Sequence, residues 1–120
     1  LSPTRDFNYV SDIVDGFVKA AQCPEAVGEV INIGSGMEIS IGSLVALILK
    51  LTGNNDLPIE SVDERLRPDN SEVQRLCADN NKARKILDWS PQYSLEEGLA
   101  QTIEWIRNHL DRYRPGVYAI

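Results

Sequence analysis

Residues 67–91, RPDNSEVQRLCADNNKARKILDWSP, constrain the fold more than any other stretch. Pro68 pushes Arg67 into extended backbone. An arginine held that way presents a fork of donors suited to a carboxylate or a phosphate. A polar turn, Ala78-Asp79-Asn80, follows. Asp79 reads as the N-cap of a short helix over 81–87, because its side chain can accept from an amide one turn in. Ala83, Ile86 and Leu87 then share one face, while Lys82, Arg84 and Lys85 turn outward. Trp89 packs the end down, and Pro91 keeps the helix from resuming. On the residues alone, the simpler reading is a helical hairpin with a solvated basic face.

The rest of the chain alternates strand-like and helical patterns. Residues 6–10 carry an aromatic at every second position and predict a short strand. Ser11 or Asp12 caps a helix to about Gln22, with Ile13, Val14, Phe17, Val18 and Ala21 as its apolar stripe. Residues 29–33 alternate around valine and isoleucine and predict a second strand, which Gly34-Ser35-Gly36 breaks. Ser40 caps a helix over 41–52, so rich in leucine and isoleucine that burial on most sides is expected. Gly53 suits the left-handed position after it. Residues 58–62 predict a third strand. Ser94 opens the last helix through a capping box with Glu97. Leu95, Leu99, Ile103, Ile106 and Leu110 line its apolar face, and Pro115-Gly116 ends it. Short strands with about four helices make an α/β fold. A full doubly wound sheet does not fit within 120 residues built this way.

Composition narrows the partners. The net charge of −6 excludes a general nucleic-acid or anionic-membrane partner, since both call for a basic surface. Residues 44–49, the longest apolar run, are too few to span a bilayer. Cys23 and Cys77 lie far apart and read as free thiols in a reducing, cytoplasmic setting. The single histidine, His109, sits among polar residues, and no metal site is expected. Gly34-Ser35-Gly36 follows a strand-like run and invites comparison with a phosphate loop. The pattern needs a third glycine at position 39, where Ile39 stands, so it reads as a plain turn. Arg5 and Arg67 are the chemically interesting pair. Taken by themselves, Arg5 pairs with Asp6 or Asp12, and Arg67 with Asp69 or Glu72.

Three segments resemble one family in order and spacing. TRDFNYVSDIVDGFVKA is similar to the R-D-[FWY]-x-[YH]-V-x-D segment of extended short-chain dehydrogenases/reductases acting on nucleotide sugars. GEVINIGSGMEISIGSLV resembles their E-x-[YFI]-N-[IL]-G-[SG]-G segment, and residues 67–91 resemble the segment that opens R-P and closes W-x-P. The match runs from Thr4 to about Leu110 and looks most like the sugar-nucleotide 4,6-dehydratases, with epimerases, decarboxylases and reductases close by. The resemblance implies the small C-terminal lobe of an NAD(P)-binding Rossmann-type enzyme, a single domain over 1–120 that binds the nucleotide sugar. It assigns Arg5 and Arg67 to the substrate diphosphate, with Asn8 and Asp69 lining the same pocket.

Two family motifs are missing. There is no G-x-x-G-x-x-G loop. There is also no Y-x-x-x-K, because Tyr9, Tyr93 and Tyr113 are followed four residues on by Ile13, Glu97 and Val117. NAD(P) is therefore implied for the intact enzyme only, and the chain is expected to hold no cofactor and no catalytic residue, and to be inactive alone. It begins at Leu1 and looks like a piece of something longer. The alternative is a non-enzymatic α/β fragment that works as an oligomerising or protein-interaction module. An apolar helix face left uncovered promotes self-association, so a homo-oligomer is expected.

Overall fold

A computed structural model describes residues 1–60 and 73–113. Its elements, in chain order, are β1 (Thr4–Arg5), α1 (Val10–Gln22), β2 (Ile39–Ser40), α2 (Ile41–Thr52), β3 (Arg75–Leu76), α3 (Asn81–Leu87) and α4 (Leu95–Arg107). Short 3-10 turns cover Pro24–Ala26 and Leu110–Arg112. The α/β class and the four helices agree with the sequence.

The strands do not lie where alternation put them. β1 is the centre of a small sheet ordered β2-β1-β3, antiparallel to β2 and parallel to β3. Residues 6–10 are not a strand, because Val10 already begins α1. Residues 29–33 keep the alternation, with Ile31 and Ile33 packed on the core and Val30 82% exposed, yet they form no strand. Residues 58–60 are in no element, and 61–62 lie outside the described residues. The reason is that alternation fixes which way side chains face, whereas a strand also needs a neighbouring backbone. That neighbour exists for residues 4–6. The Thr4 amide donates to the Gln74 carbonyl at 2.9 Å and the Asp6 amide to that of Leu76 at 3.0 Å. On the other side, Ile41 donates to the Pro3 carbonyl and Gly42 to that of Leu1, both at 3.0 Å.

The core gathers where α1, α3 and the turn after α3 meet. Ala83, Leu87 and Trp89 are buried, with Ala20, Cys23, Ala26, Ile31, Ile33 and Ile86 packed around them. Trp89 is 1% exposed, and its indole donates to the Asp12 carbonyl at 2.9 Å. A β-carbon on Gly16 would overlap the Ile33 side chain and lie 3.3 Å from the Trp89 indole nitrogen. The missing side chain is what lets α1 come this close.

That packing turns α1 over relative to its apolar stripe. Its buried residues are Asp12 and Gly16. Val10, Val14, Phe17 and Val18 are exposed. Asp12 is not a cap either. It is a buried residue inside the first turn, and its carboxylate accepts from the Gln92 and Tyr93 amides at 2.9 and 3.3 Å. Tyr9 holds the N-cap position and makes no side-chain cap bond there.

The other caps mostly follow the sequence. Ser40 accepts from the Ser43 amide at 3.1 Å, and Gly53 adopts φ 73°. Ser94 and Glu97 form the capping box, with the Ser94 amide donating to Glu97 at 2.8 Å. Asn80 occupies the N-cap position of α3 in place of Asp79, whose carboxylate accepts from the Asn81 amide at 3.0 Å. α4 ends at Arg107, earlier than Pro115-Gly116, which lie outside the described residues. Contrary to expectation, no residue of α2 is buried. It touches α4 and β2 along one side, so its leucines are half-covered.

Candidate functional site

The site grows from the turn between β1 and α1. Thr4 and Arg5 are fixed by the sheet, and residues 6–9 then bend away to start α1. Arg5 donates through Nη1 to the Thr4 and Val73 carbonyls, both at 2.7 Å. This pins the planar guanidinium to the edge that β1 shares with the chain entering β3.

Asp6 follows at once and is the hub of the region. Its Oδ1 accepts from the Ser35 amide at 3.1 Å and the Ser35 hydroxyl at 2.5 Å. Its Oδ2 accepts from the Gly36 amide at 3.0 Å and the Ala78 amide at 3.2 Å. Successive amides with a left-handed residue beside them form a concave anion cradle, and Gly36 has φ 73°. The loop that looked like a phosphate cradle thus holds an internal carboxylate. Gly34 makes room for it, since a β-carbon there would overlap Ala78 and lie 2.9 Å from Asp6 Oδ2. The pairing of Arg5 with Asp6 or Asp12 read from the sequence gives way to other bonds: Asp6 is held by three backbone amides and the Ser35 hydroxyl, and Asp12 by the Gln92 and Tyr93 amides.

Asn8 stands between two cavities. One, of about 350 Å³, is lined by Phe7, Asn8, Tyr9, Met37, Glu38 and Tyr93 among others, with the start of α4 as its far wall. The Tyr9 and Tyr93 rings are 4.7 Å apart, and Tyr9 donates to Gln101 at 2.9 Å. Glu38 on the rim accepts from Arg75 Nε at 2.7 and 2.8 Å and from the Thr4 hydroxyl at 2.9 Å. The Arg75 hydrogen bonds, then that of Thr4, hold the Glu38 carboxyl below its usual range. The other cavity, a trough of about 600 Å³, runs from Asn8 between Phe17, Ile31 and Ile33 on one wall and Cys77 and Asp79 on the other. Arg5 lines neither cavity. Arg67 and Asp69 lie outside the described residues.

Sequence reasoning missed Asp6 and Asp12 as organising residues. The available signal was an acidic residue beside each motif that could not be satisfied within its own segment. Among the described residues no group of histidine, cysteine and carboxylate side chains could hold a metal ion. No helix there is long and apolar enough to cross a membrane. Cys23 and Cys77 are free.

A family model described as GDP-mannose 4,6 dehydratase matches residues 1–102. The UDP-glucose 4-epimerase of Mycolicibacterium smegmatis is 39% identical over 107 residues, which is 89% of this chain and 32% of that protein. An epimerase from Methanothermobacter thermautotrophicus superposes with a TM-score of 0.81 at 37% identity, over 92% of this chain and 32% of its own. The UDP-glucose 4-epimerase of Thermotoga maritima, solved with UDP-glucose, gives 0.77 at 33% identity, over 91% and 33%. The chain thus spans about a third of the length of the relatives it matches. Match and fold agree over nearly all of the described residues, and the chain belongs to the family of NAD-dependent nucleotide-sugar epimerases and dehydratases.

Proposed function

We propose that this chain is the substrate-binding portion of an NAD(P)-dependent nucleotide-sugar epimerase or 4,6-dehydratase, inactive alone, and corresponds to the C-terminal lobe of such an enzyme. The observation that carries this reading is the likeness of nearly the whole chain to an epimerase solved with UDP-glucose. In this reading Arg5 and Arg67 grip the diphosphate, and Asn8 and Asp69 line the pocket beside it. A planar guanidinium fork suits an anionic diphosphate. In a chain of net charge −6, two arginines at one site would form a local exception that an anionic ligand can find. The G-x-x-G-x-x-G and Y-x-x-x-K motifs absent here belong, in this reading, to the remaining two thirds, which would bind NAD(P) and move the hydride. Free thiols fit a reducing cytoplasm. The test is calorimetric titration with UDP and UDP-glucose, beside the double variant Arg5→Ala, Arg67→Ala. Binding that the double variant loses supports the clamp, and equal binding by both chains overturns it.

A second reading is favoured by the outward stripe of α1. Val10, Val14 and Phe17 are 64%, 54% and 70% exposed, a large apolar face for one helix. The chain would associate through it, as a homodimer or larger homo-oligomer. Sedimentation tests this: Val14→Ser with Phe17→Ser should turn an oligomer into a monomer. A wild-type chain that sediments as a sharp monomer at high concentration excludes it.

A further inference from the structure

We propose that residues 30–33 are an open strand edge that pairs antiparallel with the same edge of a second copy of this chain. The inference rests on the reading of association through α1 given above and supplies its backbone half. Val30 and Asn32 are exposed, while Ile31 and Ile33 are half-buried against the core. The run is held at both ends. The Glu29 amide donates to the Ala26 carbonyl at 3.1 Å, and Asn80 Nδ2 donates to the Gly34 carbonyl at 2.8 Å. Between these anchors, no backbone amide or carbonyl of residues 30–33 has a hydrogen-bond partner among the described residues. Unpaired amides and carbonyls in a row are a template for another strand, and this run has no proline or lysine to repel one. A trough of about 600 Å³ lies against Ile31, Asn32 and Ile33 and is shared with Phe17. The edge thus continues into the outward apolar stripe of α1.

Charge and shape point to a second copy as the occupant. Glu29 is the one charged residue of 27–33, and Lys82 neutralises it at 2.9 Å. Antiparallel pairing about Ile31 keeps the two Glu29 carboxylates four residue steps apart, about 13 Å, beyond the Debye length of about 8 Å at physiological salt. Parallel pairing would set them side by side. A two-fold axis at Ile31 keeps the half-buried faces of both copies on one side of the joined strands. α1 packs on that side, with Gly16 against the Ile33 side chain, so both α1 helices lie there together. Val10, Val14, Phe17, Val18 and Val30 together expose roughly 500 Å² per copy, a large part of the about 800 Å² per partner of a standard interface.

The experiment is amide hydrogen exchange on the full chain, read by NMR at low and high concentration, beside sedimentation. The wild type should dimerise, and amides within 30–33 should exchange about tenfold or more slowly in the dimer. Both side chains used for the variants are exposed, so the single chain should fold as before. Val30→Lys puts like charges diagonally across the pair, about 7 Å apart, and should raise the dimer dissociation constant about threefold or more. Adding Asn32→Glu sets a carboxylate directly opposite each lysine in this register and should restore the wild-type value. A dimer whose exchange at these amides ignores concentration, or that Val30→Lys leaves as tight as before, overturns the proposal while association through α1 stands. A chain that stays monomeric at high concentration overturns both, and the edge is then left to a strand of other sequence.

Discussion

Two halves of the molecule handle apolar residues in opposite ways. Around Trp89, a helix that contributes Asp12 and Gly16 and a seven-residue helix make the buried cluster. Across the molecule α2 is the most apolar of the helices, yet none of its residues is buried. Burial here follows contact on several sides and fixed polar anchors more than hydrophobicity. Trp89 has both, with α1, α3 and residues 31–33 around it and its indole bonded to Asp12. α2 has α4 on one side and the small sheet at its start.

The largest test of this contrast compares one side chain from each half. Trp89→Ala should cost about 3–5 kcal/mol, because it empties the centre of the cluster. Leu44→Ala in α2 should cost less, about 1–2 kcal/mol, since its side chain is only half-covered. Chemical denaturation of both variants checks the order, and a Leu44→Ala loss equal to that of Trp89→Ala would mean that α2 is part of the true core. Next in size is Asp12→Ala, which leaves the Gln92 and Tyr93 amides without their acceptor. Stranding such groups costs about 1–3 kcal/mol. Hydrogen exchange should quicken at both amides, and α3 should stay protected if the two halves are joined mainly through this carboxylate.

The smallest effects sit at the start of α4. Ser94→Ala should cost about 1 kcal/mol through loss of the cap. The hydrogen bonds from Ser94, side chain first and then backbone, lower the pKa of Glu97. A lowered carboxyl adds stability above its unfolded value of about 4.3, and that stability is lost as pH falls through the folded value. Thermal melts between neutral pH and about pH 3 should show a shallower acid loss in Glu97→Gln than in the wild type. Equal slopes would place the acid sensitivity elsewhere, for instance at Glu38 or Glu29, whose pKa values are also lowered by their basic partners.

The helices were legible because their information is local. Ser40, Gly53, Ser94 and Glu97 act within a few residues of where they stand, and the structure shows each doing so. The sheet was not legible. β1 pairs with residues some seventy positions away, and nothing in residues 29–33 announces whether a neighbouring strand is present. The apolar stripe of α1 is legible as a stripe, and its exposure is one of the outcomes the sequence offers; that Gly16 turns inward against Ile33 and the Trp89 indole is not legible. Of the candidate site, Asn8 lines both cavities, and Arg5 lies in the central strand and lines neither. Asp6 and Asp12 stand out as a cap and as ion-pair partners, but their organising role is not legible because the amides that satisfy them lie 29 to 81 residues away.

The loop at Gly34-Ser35-Gly36 also has a consequence for competition. Its anion is supplied by the same chain, so Asp6 acts as a tethered ligand whose effective concentration is on the order of millimolar or higher. Dissolved phosphate or sulfate must displace a resident that never diffuses away. Glycine-rich and amide-lined, the loop is occupied before any ligand arrives. An anion from solution would reach the Ser35 and Gly36 amides only by displacing Asp6.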